Sequence, residues 1–290
     1  MSHVDGEIAS QPACWHRALQ MRPAGLPQAG ERVAVIGCGT SLYIAQAYAA
    51  LRESADLGET DAFAASEFPT VRRYDRVLAL TRSGTTTEVL TALRSCGHTP
   101  TVAVTGDPDT PVRDAADTVV DLGFADEQSV VQTRFATTAL VLLRASLGPV
   151  PADLPEQAER ALLGPLPQEA LTARQFTFLG TGWTVGLAHE AALKLREASG
   201  SWAESYPAME YRHGPISVTG PDSAVWFFGE PPAGLLDQVR ATGAYTVLSP
   251  HDPLAELIRA QRLAVELARA RQLDPDRPRG LTRSVVLVDS

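Results

Sequence analysis

Short apolar runs alternate with amphipathic segments along the first half of the chain. The β-branched run at 32–36 is followed by Gly37-Cys38-Gly39-Thr40-Ser41 and then by helical periodicity over 42–52, which predicts a strand, a tight turn and a helix. Further elements continue the alternation, with strands predicted at 61–65, 76–81, 101–105 and 118–122 and helices at 86–95 and 132–147. Continuous apolar strands that alternate with helices indicate an α/β fold with a parallel sheet covered on both faces.

The pattern is interrupted by the proline-rich stretch at 148–155 and then starts again. A strand predicted at 176–179 precedes Gly180-Thr181-Gly182, so that Gly37 and Gly39 correspond to Gly180 and Gly182 at one constant offset. This repetition predicts two tandem flavodoxin-like units, each a parallel sheet flanked by helices, of which the second is shortened. The predicted bounds are 1–150 for the first unit, 151–170 for a linker and 171–290 for the second unit, whose strands are expected at 176–179, 224–228 and 245–248 and whose long helix is expected at 254–271.

Composition and charge exclude several classes of protein. The chain has 290 residues, 44% hydrophobic and 20% charged, which suits one large or two medium globular cores. No run approaches the roughly 20 apolar residues that span a bilayer, and the acidic N-terminal stretch does not resemble a secretory signal. We therefore expect a cytoplasmic protein without a membrane partner. The net charge of −9 argues against a nucleic-acid partner, because a phosphate backbone is bound through a concentrated basic surface.

The cysteines give no sign of a metal centre or a disulfide framework. Cys14, Cys38 and Cys96 lie far apart in the sequence and lack paired ligand spacing. We predict reduced, partly buried thiols, no metal and no cofactor.

The first chemical signal is the segment Thr81-Arg82-Ser83-Gly84-Thr85-Thr86-Thr87, which follows a predicted strand and begins a helix. Unpaired N–H groups and the helix dipole at such a position attract an anion, and phosphate is the natural ligand. An ordinary hydroxyl N-cap would account for one hydroxyl but hardly for several hydroxyls and an arginine. A dinucleotide fold is the alternative for the Gly37–Gly39 turn, but Leu42 stands where that fingerprint needs its third glycine.

The second signal is a group of charged residues in the helix predicted at 185–199. Glu190, Lys194 and Glu197 lie four and three residues apart, which places them on one face. Alone, this pattern is typical of a solvent-exposed salt-bridge face. The irregular segment predicted at 206–215 follows closely and crowds Glu210, Arg212 and His213 together, and polar density in a loop often marks a site.

These motifs together resemble the sugar isomerase (SIS) family, and in particular the isomerase half of glucosamine-6-phosphate synthases. The resemblance covers nearly the whole chain, and the motifs that carry it are Gly39-Thr40-Ser41, Ala65 to Phe68, Thr81 to Thr86, Glu190 to Glu197, Glu210 to Pro215 and Asp274 to Ser284. It implies two SIS units, with the sugar phosphate held by the first and the chemistry supplied largely by the second.

The resemblance also implies roles for individual residues. Those that fall on or beside the family's phosphate and sugar contacts are Gly39, Thr40, Ser41, Thr81, Arg82, Ser83, Thr86 and Gln132. Glu197 falls on the base that moves a proton between C1 and C2, and Glu190 and Lys194 fall on supporting positions. His213 falls on the ring-opening residue, which in the family comes from the partner subunit, so a homodimer with shared sites is implied.

Three departures from the family pattern bear on the chemistry. Arg283 stands where the synthases carry a lysine, and a guanidinium cannot attack a carbonyl, so Schiff-base chemistry there is in doubt. Arg82 stands where the family often has glutamine, and Gln132-Thr133-Arg134 replaces a Ser-Thr-Lys run. These changes suggest added positive charge beside the ligand and a different substrate. Arg283 is expected to pair with the sugar or its phosphate; the alternative is a surface arginine on a flexible tail.

The resulting functional prediction is an enzyme that acts on a hexose or amino-sugar 6-phosphate by ring opening and C2 proton abstraction. The first hypothesis is an isomerase or deaminating isomerase. A lyase is the alternative, because the same C2 carbanion can expel a 3-substituent. A non-catalytic sugar-phosphate sensor is the second alternative, although Glu197 and His213 together favour catalysis.

Overall fold

The computed structural model describes residues 2–248 and 251–287 in two compact units. The N-terminal unit comprises Ala13–Val150 and Leu281–Ser290, and the C-terminal unit comprises Met1–Pro12 and Pro151–Gly280. The predicted bounds of 1–150, 151–170 and 171–290 stay a prediction. The boundary between the two compact units also falls after Val150. In addition, each unit includes one terminal segment of the chain.

The N-terminal unit contains a fully parallel sheet covered by helices. Two helices open the chain: α1 (His3–Ala9) belongs to the C-terminal unit, whereas most of α2 (Gln11–Gln20) belongs to the N-terminal unit. The strands that follow are β1 (Val33–Gly37), β2 (Thr60–Ala64), β3 (Arg76–Thr81), β4 (Thr101–Thr105) and β5 (Thr118–Asp121), and the helices are α3 (Thr40–Ser54), α4 (Thr87–Arg94), α5 (Val112–Ala115) and α6 (Arg134–Leu147). The sheet order is β2-β1-β3-β4-β5. Every residue of β1 and β4 is buried, which explains their unbroken apolar sequence.

The C-terminal unit repeats this arrangement on a smaller scale. Its helices are α7 (Leu154–Leu163), α8 (Gln168–Thr172), α9 (Thr184–Ser199), α10 (Leu235–Ala241) and α11 (Pro253–Ala270), and its strands are β6 (Gln175–Gly180), β7 (Trp202–Pro207), β8 (Ser223–Phe228) and β9 (Tyr245–Val247). The described strands pair in parallel in the order β7-β6-β8-β9, one strand fewer than in the N-terminal sheet. The predicted fold class, with a shortened second unit, is confirmed.

Several predicted elements agree with the structure to within two residues, and one strand is missing from the prediction. Strands β3 and β4 have the predicted bounds, whereas α3 begins at Thr40 rather than Leu42 and α6 at Arg134 rather than Gln132. The sequence does not predict β7, because this edge strand is only partly buried and lacks a continuous apolar run. No helix in the ranges 2–248 and 251–287 combines the length and apolar character needed to cross a membrane.

The two Gly-x-Gly turns are built alike, and each glycine has its own reason. At Gly37 an added Cβ would lie 2.7 Å from the backbone of the following helix, and at Gly180 the corresponding distance is 2.3 Å. Gly39 and Gly182 instead have φ values of +55° and +58°, in the left-handed region that disfavours side chains. The tandem repeat therefore extends to the local geometry where a strand turns directly into a helix.

This geometry predicts the effect of an added methyl group at Gly180. We expect Gly180→Ala to lower the free energy of unfolding by about 1–3 kcal/mol, because the backbone of α9 must move to make room. Gly6→Ala is the control: Gly6 lies inside α1, has nothing within 4 Å of the added Cβ, and should gain about 0.5–1 kcal/mol. Urea denaturation of both variants provides the measurement. Equal unfolding midpoints would contradict the steric argument.

Candidate active site

The predicted phosphate-binding residues gather at the carboxyl end of the N-terminal sheet. The residues that line a small pocket there are Cys38, Ser41, Leu80, Thr81, Arg82, Ser83, Thr86, Val89, Gln132 and Arg283. Gly39 and Thr40 begin α3 beside this pocket without lining it. Residues from the turn after β1, the turn after β3, the start of α6 and the C-terminal segment thus meet in one place.

Thr81 and Gln132, which line this pocket, each have a buried polar atom without a hydrogen-bond partner in the described part of the chain. The Thr81 hydroxyl oxygen and the side-chain oxygen of Gln132 are buried without a hydrogen bond. Such a group costs roughly 1–3 kcal/mol when it stays unpaired. A hydroxyl can donate to a phosphate oxygen and an amide oxygen can accept from a sugar hydroxyl, so a sugar phosphate matches both groups.

The turn between β3 and α4 is shaped to expose hydroxyl groups. Gly84 has a φ of +63°, and a Cβ there would lie 1.9 Å from the Thr110 hydroxyl oxygen, so glycine is required. The Ser83 hydroxyl accepts from the Thr85 N–H at 3.3 Å and lies 3.1 Å from the Thr85 hydroxyl oxygen, and a serine hydroxyl can also donate to a ligand. Thr86 is the N-cap residue of α4, and its hydroxyl makes no capping hydrogen bond to the described backbone. These hydroxyls can therefore serve a ligand.

Arg82 is buried beneath this turn and is paired with a carboxylate. Its guanidinium donates to the Ser129 carbonyl at 2.9 Å and the Arg283 carbonyl at 3.0 Å, and lies 3.9 Å from Glu127. The Glu127 carboxylate also accepts from the Thr133 N–H and hydroxyl, both at 2.7 Å, at the start of α6. The expected gain of positive charge at position 82 is therefore offset by a buried negative charge.

Arg283 reaches the pocket but directs its guanidinium to the protein. One guanidinium nitrogen lies 2.7 and 2.8 Å from the two carboxylate oxygens of Asp126, and the other donates to the Glu127 carbonyl. The side chain is 35% exposed. The Arg283 side chain is thus held by protein groups and is not a loose surface arginine. Its guanidinium faces these groups rather than a ligand.

The C-terminal unit brings Glu190, Lys194 and Glu197 together on α9, as their spacing predicts. Lys194 Nζ lies 2.6 Å from a Glu197 carboxylate oxygen and 3.3 Å from one of Glu190. Glu190 and Lys194 are buried, whereas the Glu197 side chain is 19% exposed. The alternative of a solvent-exposed salt-bridge face is therefore wrong for Glu190 and Lys194. A buried Lys–Glu pair is costly to desolvate and needs a reason to exist.

A compositional signal for this cluster lies in the sequence itself. Lys194 is the only lysine of a chain in which lysine and arginine together number 25. All the others are arginines. Lys194 therefore carries the only side-chain primary amine of the sequence. The spacing of Glu190, Lys194 and Glu197 does not carry this signal, whereas a count of lysines singles out Lys194.

His213 is exposed, while its two predecessors are held in place. Tyr211 is fully buried and its hydroxyl hydrogen-bonds to Thr219. Arg212 donates to the Gln238 side chain at 2.7 Å and to the Ala233 carbonyl at 2.6 Å. Two anchored neighbours thus present the His213 imidazole outward from the C-terminal unit.

In the C-terminal unit, the turn that corresponds to the one between β3 and α4 carries no serine or threonine at 229–232. The segment after β8 reads Gly229-Glu230-Pro231-Pro232, where the segment after β3 carries the serine and threonines. Proline has no N–H to donate, and Glu230 would repel an anion. The repeat therefore contains one phosphate-type turn, which lies in the N-terminal unit.

Sequence reasoning missed several polar groups near the predicted residues. Glu127 and Asp126 lie in a loop before α6 and pair with arginines distant in sequence. On α9, His189 Nδ1 lies 2.8 Å from the Ser205 hydroxyl oxygen, and burial lowers the pKa of His189. No local sequence pattern predicts contacts between residues that lie this far apart in the chain.

The cysteines and the acidic groups offer little for other chemistry. Burial, reinforced by Glu88, raises the pKa of the Cys38 thiol, and burial raises that of Cys96 to about 11, so neither is a thiolate at neutral pH. Within residues 2–248 and 251–287, no cluster of His, Cys, Asp and Glu side chains is arranged to hold a metal ion.

Comparison with known proteins relates the chain to sugar-phosphate enzymes. It is 28% identical over 319 residues to the isomerizing glutamine–fructose-6-phosphate aminotransferase of Neisseria meningitidis serogroup B, covering 88% of this chain and 51% of that protein. Together with the fold, the match supports the predicted relationship. The resemblance to the sugar isomerase family is confirmed. The chain spans about half the length of the curated relatives it matches, and no family model matches the sequence.

Solved structures share the fold over almost the whole chain. A glucosamine-6-phosphate deaminase from Thermotoga maritima superposes with a TM-score of 0.83 at 23% identity, covering 99% of this chain and 100% of that one. A tagatose-6-phosphate ketose/aldose isomerase from Escherichia coli gives a TM-score of 0.76 at 18% identity, covering 100% and 97%. At these identities the likeness concerns the fold alone.

The burial of Lys194 leads to a stability prediction. Lys194→Met should lower the free energy of unfolding by about 3–5 kcal/mol, because it leaves the Glu190 carboxylate buried without its cation. Lys194→Met/Glu190→Gln should recover most of that loss, since the double variant also removes the buried charge. Urea denaturation measures both effects.

A surface pair provides the control for this measurement. Glu266 and Arg269 on α11 form an exposed ion pair, so Glu266→Gln should cost less than about 1 kcal/mol. If the Glu190→Gln change recovers nothing in the Lys194→Met background, the buried charge is not what destabilises the single variant.

Proposed function

We propose that the chain binds a hexose or amino-sugar 6-phosphate and catalyses its isomerisation or deamination by ring opening and C2 proton abstraction. The observation that carries the proposal is that one chain combines a hydroxyl-lined pocket at a helix start with a buried carboxylate–amine cluster. The named activities of the relatives, a fructose-6-phosphate aminotransferase, a glucosamine-6-phosphate deaminase and a tagatose-6-phosphate isomerase, support the same substrate class.

In the proposed complex the 6-phosphate lies in the pocket of the N-terminal unit. Ser83 and Thr86 have hydroxyls available for a ligand, and Ser41 lies in the first turn of α3 beside them. The positive end of the α4 dipole favours a dianion at this position. Thr81 and Gln132 would gain the hydrogen bonds that they lack in the protein alone.

Glu197 is proposed as the base that removes the C2 proton. It is the only member of the α9 cluster described above whose side chain is partly exposed, and Lys194 holds its carboxylate at 2.6 Å. A carboxylate positioned in this way can take a proton α to a carbonyl. In this proposal Lys194, which pairs with Glu197, stabilises the negative charge that develops on the enediolate, and the buried Glu190 holds the lysine at 3.3 Å.

Ring opening is assigned to His213 in this proposal, acting in the site of a partner subunit. The exposure of His213 and the anchoring of Tyr211 and Arg212 suit a residue that is offered to a neighbouring molecule. The proposed assembly is a homodimer with shared sites.

The decisive experiment is incubation with hexose and amino-sugar 6-phosphates in D₂O, followed by NMR of the products. Ketose–aldose interconversion or release of ammonia supports the proposal. Loss of water or of a 3-substituent would identify elimination through the same carbanion instead. Binding of the sugar phosphates without deuterium incorporation at C2 would identify a sensor and contradict the catalytic proposal.

The role of Glu197 leads to a kinetic prediction. Glu197→Gln should reduce exchange of the C2 proton by about two to four orders of magnitude, the usual contribution of a positioned base, while the sugar phosphate still binds. Glu266→Gln removes a carboxylate from an exposed ion pair of the same spacing and should leave exchange unchanged. Near-normal exchange in the Glu197→Gln variant would assign the base to another residue.

The phosphate turn, which is the segment 82–86 between β3 and α4, leads to a second kinetic prediction. Ser83→Ala and Thr86→Ala should each raise KM for a 6-phosphate by about tenfold or more, because each removes a hydrogen bond to a charged ligand. The loss is not a capping effect, since the Thr86 hydroxyl caps no N–H of α4 in the described backbone. Thr91→Ala, an exposed position on the same helix, is the control. Unchanged KM in both test variants would place the phosphate elsewhere.

A further inference from the structure

The C-terminal strap, residues 281–287, runs across the start of α4 within the N-terminal unit. The Ser284 hydroxyl oxygen accepts from the Thr85 hydroxyl at 2.9 Å, and the Val285 carbonyl accepts from the Thr87 N–H at 3.1 Å. The Leu287 N–H in turn donates to the Thr87 hydroxyl oxygen at 2.9 Å. Ser284, Val285 and Leu287 of the strap are thus hydrogen-bonded to Thr85 and Thr87, the residues on either side of Thr86.

Arg283 anchors this strap through both its side chain and its backbone carbonyl. Its guanidinium pairs with the Asp126 carboxylate at 2.7 Å, and its carbonyl accepts from the buried Arg82 at 3.0 Å. Arg82 belongs to the phosphate turn and also donates to the Ser129 carbonyl at 2.9 Å. The loop before α6, the phosphate turn and the strap are therefore joined through two arginines.

The contacts have a direct consequence for Thr86. The strap holds Thr85 and Thr87, the residues on either side of it, so the position of Thr86 depends on the strap. The Thr87 N–H is already taken by the Val285 carbonyl, so the anion must be held by the groups that precede it in the turn.

We propose that Arg283 is a positioning residue that acts through the strap, and that Asp126 is its functional partner. The ion pair between them fixes Thr85 and Thr87, and with them the Thr86 hydroxyl, in the arrangement that receives the 6-phosphate. Arg283 does not bind the phosphate itself, because its guanidinium is engaged by Asp126 and by the Glu127 carbonyl. This inference rests on the proposed sugar-phosphate function and adds the residues that preorganise its binding turn.

Kinetics of three variants distinguish positioning from direct binding. Arg283→Ala and Asp126→Ala should each raise KM for the 6-phosphate by roughly tenfold with kcat changed less than about twofold, and Arg283→Ala/Asp126→Ala should be no worse than either single variant. Direct phosphate binding by Arg283 predicts the opposite for Asp126→Ala, since the released guanidinium would then lower KM. A lowered or unchanged KM in Asp126→Ala would overturn the proposal.

Two further variants complete the kinetic comparison. Arg283→Lys keeps a cation that can pair with Asp126 and should restore most of the binding lost in Arg283→Ala. Arg279→Ala removes an exposed arginine just upstream of the strap and should leave KM unchanged. Failure of the lysine to restore binding, or an equal effect at Arg279, would contradict a role of the ion pair.

A measurement without substrate tests the strap independently of the proposed function. The Thr87 amide is protected by the Val285 carbonyl, so its hydrogen exchange should accelerate by at least about tenfold in Arg283→Ala and in Asp126→Ala. If the parent protein turns over and binds no 6-phosphate, the function fails while faster exchange still supports the strap. Unchanged Thr87 exchange in both variants would overturn the positioning role whatever the substrate.

Discussion

Parallel strand pairing is the constraint on which the candidate site depends. Strands β1 and β3 are neighbours in the sheet order β2-β1-β3-β4-β5, and the chain leaves them toward opposite sides, so their carboxyl ends open a crevice. In open α/β sheets such a reversal point is where ligands bind. The turns that contain Ser41 and Ser83 follow these two strands directly. Gly37 lets α3 approach closely and Gly84 lets the phosphate turn bend, so each hydroxyl is placed by a backbone feature that only glycine permits.

Each unit, taken by itself, contains a buried cation beside a buried carboxylate. Arg82 lies beside Glu127, and Lys194 lies beside Glu190, with every one of these side chains almost completely buried. A buried pair brings little or no net stability, because desolvation consumes the attraction between the charges. Such pairs are therefore poor explanations of folding and better explanations of a fixed charge held ready for a ligand. In each unit the carboxylate, Glu127 or Glu190, holds its cation in position while both side chains stay buried.

The sequence reveals those parts of the structure that local chemistry determines. Strands β3 and β4, the hydroxyl-rich turn from Thr81 to Thr86 and the shared face of Glu190, Lys194 and Glu197 all follow from short-range patterns. The edge strand β7 escapes prediction because partial burial removes the apolar run that marks the other strands. The pair between Asp126 and Arg283 joins residues 157 positions apart, and no local pattern encodes a contact at that separation. The burial of Lys194 likewise depends on what packs against α9, so its spacing alone favours an exposed face.

The placement of nitrogen nucleophiles bears on the route of the proposed reaction. An imine with an open-chain sugar needs a side-chain amine, and Lys194 is the only lysine in the sequence. Its nitrogen lies between the Glu197 and Glu190 carboxylates at 2.6 and 3.3 Å. Imine formation would require the ammonium to lose a proton between two carboxylates, and it would leave at most the single N–H of a protonated imine to serve both of them. Arg283 cannot replace it, because a guanidinium is not a nucleophile and this one is held by Asp126. Proton abstraction at C2 neutralises Glu197 but leaves the Lys194 ammonium beside the buried Glu190, and the proposed chemistry therefore runs through proton transfer at C2 rather than through a covalent adduct.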